Sequence, residues 1–427
     1  MNMTTSTTLA AGTGTSFVIR GCQICDNTNL KSAMFLGYLP PVNTMPKIGE
    51  RPKEEPSYPA ELLFCPTCEL AQLSLVVDPK ILFPPEYPYT SGTTKILREN
   101  FAELYQETNT LFPLKADDLV MDIGSNDGTL LSNFKNGGHR VLGIEPTLMA
   151  KLATERGIPS IMEFFSKKTA EKAVAQAGRA KVVTATNVFA HIENIHDIVS
   201  GIVSMLTDDG LFISESHYFN SLVETLQYDT IYHEHLRYYS LKSLSYLFKM
   251  HGLEVIHAKK IPTHGGSIRV VAAPKGTRRP LGSVQQIMDE ENKANLGPES
   301  LLAFRDKVVQ TKLDLYSLLS GIKQKGGKIY GVGAPSRAST LINYVGLDDG
   351  ILDAVLEIKG SYKIGKYMPG TVIPVLDENM LFEKQPEYAL LLSWHIADEL
   401  MPKLKARGYK GKFIVPLPEP RVVSLDS

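Results

Sequence analysis

Net charge is what this 427-residue chain lacks: 45 Lys and Arg stand against 46 Asp and Glu, leaving −1. No basic field is available to hold nucleic acid or an anionic membrane, and neither is expected as a partner. No apolar run approaches membrane-spanning length. The first twenty residues, MNMTTSTTLAAGTGTSFVIR, have neither the basic start nor the apolar core of a secretory signal. A soluble, cytoplasmic protein working as a monomer is expected. What is present is ordinary for globular cores, with 43% hydrophobic and 21% charged residues, and the length predicts about three domains.

Cysteine is scarce, and the four residues fall into two pairs, Cys22-Gln23-Ile24-Cys25 and Cys65-Pro66-Thr67-Cys68. Two such knuckles present four thiolates to one zinc ion, and a site with four protein ligands keeps no open position, so the metal is read as structural. The alternative is reduced cysteines or a redox pair. The segment from residue 26 to residue 64 contains LPPVNTMPKIGERPKEEPSYP and reads as a loop carried on the metal-clamped base.

LVMDIGSNDGTLLSNFKNGGHRVLGIEP reads as strand, glycine turn, helix and second strand. Leu119 to Ile123 is the first strand, and Gly124 to Gly128 lets the backbone pass close to a ligand before a helix from Thr129. Arg140 to Ile144 is the second strand. It ends in Glu145, placed to accept hydrogen bonds from ribose hydroxyls. The pattern suits a dinucleotide or S-adenosylmethionine. Asp122 and Asp127 in this turn would repel a diphosphate and suit the cationic methionine end, which favours the methyl donor. Strands AKVVTATNV and DGLFISESH alternate with helices SKKTAEKAVAQAG and HDIVSGIVSMLTD, as in a doubly wound sheet.

Downstream, NVFAHI and TIYHEHLRYYS gather His191, Tyr232, His233, Glu234 and His235, the residue types for proton transfer near neutral pH. If TIYHEHLR is extended, His233 and His235 share a face; if it is helical, they point apart. A metal site is a weaker reading, because the HExxH spacing is absent. Tyr238 and Tyr239 read as packing aromatics. In THGGSIR, the two glycines after His264 let a strand begin at close backbone approach, and Arg269 taken alone reads as a surface arginine on a sheet edge. GKIYGVGAPSRASTLINYVG repeats strand, glycine turn and helix, and reads as an anion site with Arg337 nearby. Later strands are expected in YALLLSW and KFIVPLP.

Taken together, CQIC with CPTC, MDIGSNDGTLL, GIEP, NVFAHI, TIYHEHLRYYS, THGGSIR, GVGAPSRASTLINY and FIVPLPEPR resemble the sugar C-methyltransferases that modify nucleotide-linked ketodeoxysugars. The resemblance runs in order from Cys22 to Arg421. It implies an α/β fold in three parts: a zinc-binding N-terminal module over 1–90, a central doubly wound Rossmann-like methyltransferase domain over 91–281, and a C-terminal Rossmann-like α/β domain over 282–427 that helps hold the nucleotide-sugar. It implies methyl transfer to a sugar carbon beside a ketone, carbon 3 of a 4-keto-6-deoxy sugar. The implied base is His235, with Tyr232, Glu234, His191 and Tyr87 in the site. S-adenosylmethionine is placed against Asp122, Gly124, Asn126, Asp127, Glu145, Phe164, Phe165 and Asn187. The nucleotide-linked substrate is placed against Tyr89, His264, Arg269 and Arg337, and zinc on Cys22, Cys25, Cys65 and Cys68. His395 and LEIKGSYKIGKYMPG depart from the resembling family, which leaves the nucleotide and sugar open. An RNA methyltransferase would require a basic stripe with stacking aromatics, and a non-catalytic nucleotide-sugar binder gives no reason for the histidine cluster.

Overall fold

The computed structural model describes residues 15–82 and 95–425, so Tyr87 and Tyr89 lie outside the described residues. The N-terminal part carries β1 (Phe17–Val18), β2 (Lys31–Leu39), β3 (Tyr58–Phe64), β4 (Ala71–Leu73), β5 (Leu75–Val76) and the short helix α1 (Pro79–Leu82). The segment expected as a loop between the cysteine pairs therefore contains β2 and β3, an antiparallel pair joined by the proline-rich stretch. Register shifts at Ser32/Met34 and Phe35/Tyr38 break the two-residue alternation that would have exposed β2 in the sequence.

After α2 (Lys95–Leu111) the chain alternates as expected: β6 (Leu119–Ile123), α3 (Thr129–Asn136), β7 (Arg140–Ile144), α4 (Met149–Glu155), β8 (Ser160–Ile161), α5 (Lys167–Ala177), β9 (Ala180–Thr186), α6 (Ile195–Met205) and β10 (Leu206–His217). Every residue of β6 is buried, as a strand covered on both faces requires. Next come α7 (Phe219–Glu224), β11 (Arg237–Tyr238), α8 (Leu241–Met250), β12 (Leu253–Ile261), β13 (Ser267–Pro274) and α9 (Gly282–Ala294). The sheet order is β12-β13-β10-β9-β6-β7-β8, parallel from β10 to β8 with β13 and β12 antiparallel. Strand β11 leaves this unit and pairs with β4, so the segment just after YHEH is stitched into the N-terminal sheet β11-β4-β3-β2.

The C-terminal part is α10 (Pro298–Gln324), β14 (Ile329–Val332), α11 (Ser336–Val345), β15 (Ala354–Glu357), β16 (Val375–Asp377), α12 (Asn379–Lys384), β17 (Tyr388–Leu391), α13 (Ala397–Ala406), β18 (Lys412–Val415) and β19 (Arg421–Val423). Its sheet order, β16-β15-β14-β17-β18-β19, is parallel except for β19. Helix α9, inside the span expected for this domain, packs on the central unit instead: Ile287 joins that core, and buried Glu291 accepts from the Tyr218 hydroxyl and the Leu241 and Lys242 amides. The N-terminal module serves both cores. Its cysteines pack with the central unit, while Met34, Leu36, Leu62 and Phe64 pack with α10 and α11.

Candidate active site and zinc centre

The two cysteine knuckles fold alike. The Asp26 N–H donates to Cys22 O at 3.0 Å and the Glu69 N–H to Cys65 O at 2.9 Å, and each turn closes on a left-handed residue, Asp26 at φ 57° and Glu69 at φ 58°. All four Sγ atoms lie within 4.8 Å of one another, with Cys22 to Cys68 at 3.4 Å and Cys25 to Cys65 at 3.5 Å. Those separations are far beyond a disulfide bond. They are close to the ~3.8 Å edge of a tetrahedron built on Zn–S bonds of about 2.3 Å. The Ile24 N–H and Asn27 Nδ2–H point at Cys22 Sγ and Cys65 Sγ, and the Cys68 hydrogen bond holds the Cys22 thiol down to about 5. The set fits zinc, with no ligand position left over for catalysis.

A single cavity of about 1860 Å³ runs from the glycine turn to the C-terminal part. That exceeds the ~300–1,000 Å³ of a one-ligand pocket and leaves room for a donor and an acceptor together. At one end Gly124 has φ +70°, and a Cβ there would stand 2.6 Å from Val188. Glu145 is buried at the end of β7: Oε2 accepts from the Asn126 N–H at 3.0 Å, and Oε1 accepts from Thr147 N–H and Oγ1–H at 2.9 and 2.6 Å. The carboxylate is thus held rigid on the cavity wall. Asn187, at φ 58°, keeps a buried Oδ1 with no hydrogen-bond partner among the described residues. Phe164 and Phe165 line the same end. These residues fit an adenosyl group, with Glu145 for ribose and Phe164 or Phe165 flanking the base. Glu145→Ala is expected to weaken S-adenosylmethionine binding by about 1.5–3 kcal/mol, the value of a charged hydrogen bond; unchanged affinity by calorimetry would remove Glu145 from the donor site.

The aspartates do not act as the free charges expected of them. Asp127 pairs with Arg156 at 2.9 Å and accepts from Thr129 N–H and Oγ1–H at 3.3 and 2.7 Å. Burial pushes Asp122 up to about 7, against the 2.6 Å hydrogen bond from Thr184 Oγ1. Both still line the cavity.

In the middle of the cavity the YHEH segment is neither strand nor helix. It is an irregular turn after the 3-10 turn Tyr228–Thr230, and it sends its two histidines apart. His233 Nε2 lies 3.2 Å from Pro59 O with Tyr58 against its edge, so it anchors the loop to the N-terminal module. His235 Nδ1–H donates to Thr230 O at 2.9 Å, which leaves Nε2 as the lone pair. A backbone carbonyl, not a carboxylate, therefore fixes its tautomer. Glu234 Oε1 accepts from Asn43 Nδ2 at 2.5 Å.

The Tyr232 ring lies 4.2 Å from that of His235, His217 4.9 Å and His191 5.1 Å; His264, at φ 56°, stacks on His217 at 5.6 Å. Burial holds His235 and His217 well below 6.5, and His191 and His264 down to about 4. Burial thus favours the neutral form of all four rings. The loop carrying His191 is clasped by buried Arg237, which donates to Phe189 O, Ile192 O and Glu193 O, and by the Tyr239 hydroxyl on Phe189 O. Tyr238 and Tyr239 thus do more than pack, since the Tyr238 hydroxyl also donates to Thr230 O at 3.1 Å.

One expected substrate contact, Arg269, is placed otherwise. Arg269 is not a surface arginine on a sheet edge: β13 lies between β12 and β10. Its Nε donates to Glu215, Nη1 to Glu103 and Glu107, and Nη2 to Asn100 O and Oδ1. All five N–H groups are used, so none remains for a ligand; Arg269 fixes α2 to the central sheet. Arg337 lines the cavity, but its Nε and Nη2 grip Asp229 at 2.8 and 2.7 Å, Nη2 also reaches Gln227 at 3.1 Å, and its face lies 4.9 Å from the Trp394 ring. Sequence reasoning missed His217, although the last residue of a strand in this fold points into the ligand crevice. It also missed Thr230, Asn43 and Lys363, whose placement depends on contacts distant in sequence.

Three family models match the chain: "Putative zinc binding domain" over residues 22–83, "Methyltransferase domain" over 96–258, and "C-methyltransferase C-terminal domain" over 262–418. The C-methyltransferase NovU of Streptomyces niveus is 32% identical over 410 residues, covering 95% of this chain and 97% of that protein. Among solved structures, PH0226 protein from Pyrococcus horikoshii OT3 aligns at 15% identity over 46% of this chain and 98% of that one, with a TM-score of 0.35. Magnesium protoporphyrin IX methyltransferase from Synechocystis PCC 6803 with bound SAM aligns at 14% identity over 42% and 79%, with a TM-score of 0.32.

Proposed function

The chain belongs to the C-methyltransferase family, S-adenosylmethionine-dependent enzymes with a zinc-binding domain, and from that premise we propose that its acceptor is a nucleotide-linked keto sugar, methylated at the carbon beside the ketone. Carbon 3 of a 4-keto-6-deoxy sugar is the position that the sequence resemblance implies. The observation that carries the reading is His235: a neutral imidazole whose Nδ1–H is fixed on Thr230 O and whose Nε2 is left as acceptor, in a cavity continuous with the glycine turn.

A carbon next to a carbonyl becomes nucleophilic when its proton leaves and the oxygen that gains charge is stabilised. His235 Nε2 takes the proton and becomes imidazolium. The hydroxyl of Tyr232 and the neutral imidazoles of His191, His217 and His264 are donors of the kind an enolate oxygen needs. A donor held at the glycine turn would supply an electrophilic methyl group to that carbon, with its sulfur as the leaving group. Glu234, held by Asn43, fixes the loop that carries the base.

Incubation with a panel of nucleotide-linked keto sugars and S-adenosylmethionine, read by mass spectrometry and carbon NMR, is expected to give a product 14 mass units heavier, with the methyl on carbon. A methyl found on oxygen or nitrogen, or no turnover across the panel, overturns the reading.

A further inference from the structure

Ser216 lines the cavity and carries a hydroxyl that the chemistry above does not use. It is the last residue but one of β10 and 2% exposed, and its Oγ has no hydrogen-bond partner among the described residues. A buried hydroxyl without a partner is a net cost to the ligand-free fold, and on a cavity wall a ligand atom can offset it. Ser214, two residues earlier, has the same unpartnered, buried Oγ but does not line the cavity.

Strand register places the hydroxyl. From Leu211 onward β10 pairs with its neighbours without a bulge, so its side chains alternate: Leu211 and Ile213 join one core, and Phe212 joins the other with Phe189 and Tyr239. Ser214 and Ser216 therefore face the Phe189 side, where the loop carrying His191 lies. The ladder with β9 ends at Glu215 opposite Thr186, whereas the ladder with β13 runs on to His217 opposite Ser267. Ser216 thus stands past the end of β9, in the crevice at the carboxyl ends of the strands. The YHEH turn closes on the same crevice, with Leu236 N–H donating to Ala190 O at 2.7 Å and Phe219 N–H to Tyr239 O at 2.8 Å. The His235 ring lies 5.1 Å from that of His191 and 4.9 Å from that of His217, the chain neighbour of Ser216. The backbone before Ser216 is fixed as well: Glu215 O accepts from Asn187 N–H at 2.8 Å, and its carboxylate accepts from Arg269 Nε and Asn100 Nδ2 at 2.7 and 2.8 Å. A donor held in this way needs no reorganisation as charge develops beside it.

Resting on the keto-sugar reading, we infer that the Ser216 hydroxyl donates a hydrogen bond to the ketone oxygen of the acceptor while His235 removes the proton from the adjacent carbon. The proton goes to His235 Nε2, the electron pair of the broken C–H bond moves into the enolate, and the oxygen that gains the charge meets Ser216, which keeps its own proton throughout. That oxygen sits two bonds from the carbon that loses the proton, so its donor has to lie beside the base. A hydroxyl stays a donor across the working pH range and brings no charge of its own into a site that already holds imidazolium. The bond strengthens as the oxygen becomes anionic, so Ser216 acts as a catalytic residue on the barrier to enolate formation and little on binding.

The test compares the parent with Ser216→Ala and Ser214→Ala on the nucleotide-linked 4-keto-6-deoxy sugar that the parent turns over fastest. Exchange of the hydrogen beside the ketone is read by NMR in deuterium oxide without donor, methylation by mass spectrometry, and S-adenosylmethionine affinity by calorimetry. Ser216→Ala is expected to slow exchange and methylation together by about 10²-fold, the effect of removing one oxyanion donor, with KM and S-adenosylmethionine affinity unchanged. Its ligand-free denaturant midpoint is expected to hold or rise, because an unpaired buried hydroxyl is gone; a serine with a structural role alone would not combine that result with lost activity. Ser214→Ala is expected to keep the parent rates. Ser216→Cys, of similar volume but a weaker donor, is expected to fall between parent and alanine variant, and it carries the comparison if Ser216→Ala loses S-adenosylmethionine binding and so is misfolded. Parent rates in Ser216→Ala overturn the inference and leave the keto-sugar reading standing. Slowed methylation with parent exchange also overturns it, by moving Ser216 to the methyl-transfer step. An equal loss in Ser214→Ala overturns it too, by tracing the effect to strand packing. A parent protein that neither exchanges nor methylates any keto sugar of the panel takes the broader reading down, and this inference with it.

Discussion

Replacement of His235 by alanine is expected to lower methyl transfer about 10²–10⁴-fold, the contribution of a positioned general base, while S-adenosylmethionine binds with unchanged affinity. The ring has one tautomer open to it, because Nδ1–H is held by Thr230 O; the deletion removes the lone pair at Nε2 together with that hydrogen bond and the ring contacts to Tyr232, His217 and His191. Proton removal does not require the donor, so substrate incubated in deuterium oxide with donor-free enzyme is expected to exchange the hydrogen beside its ketone, and the variant to lose that exchange too. Loss of methylation with retained exchange would assign proton removal to another group, His191 or His217 first.

The pH profile follows with a definite sign. Burial, and then His191, His264 and Arg337, hold His235 well below 6.5, so the ring is in its basic form through neutrality. The kcat/KM profile is expected to be flat there and to fall only in acid below that range, as the imidazole is protonated before substrate arrives. A base with so low a resting value works because imidazolium and enolate form together, each neutralising the other in a site of low dielectric. An activity that rises as pH drops below 6.5 would exclude neutral His235 as the base.

The features legible in the sequence are those set by local spacing. The strand Leu119–Ile123, the turn through Gly124 and Gly128, the helix from Thr129 and the strand Arg140–Ile144 stand where apolar periodicity and glycine place them. The four cysteines were readable for the same reason, since each knuckle is a closed local turn. What the sequence hid is pairing across distance. The strand β2 was masked by its bulges, and Arg269 resembled an exposed edge residue because Glu103, Glu107 and Glu215 come from two other elements. His217 and Thr230 gain meaning only once β10 and the YHEH turn meet at one crevice. The YHEH turn has no regular period at all, so neither a helical nor an extended reading could rank His235 over His233; in the folded chain His233 meets Pro59 O and His235 meets Thr230 O, contacts that no local period announces.

Arg337→Met is expected to lower stability by about 3–5 kcal/mol, the usual effect of removing one partner of a buried ion pair and leaving the other charge uncompensated. Side-chain exposure is 7% for Arg337 and 1% for Asp229, so neither charge has water to fall back on. Trp394 Nε1–H, 2.7 Å from Asp229 Oδ2, remains as a donor but carries no charge. The pair joins α11 to the 3-10 turn Tyr228–Thr230, and the last residue of that turn holds His235 Nδ1. Its loss should therefore reach the chemistry as well. In the fraction that stays folded, kcat is expected to fall while S-adenosylmethionine affinity holds, because the donor end of the cavity rests on β6 and β7. Asp229→Asn combined with Arg337→Met removes both charges, and the double variant is expected to recover part of the stability lost by Arg337→Met alone. Denaturant midpoints for the two single variants and the double variant give the coupling energy directly. Additive losses would mean that the Arg337–Asp229 pair contributes no coupling, and that α11 is held on the turn by apolar packing instead.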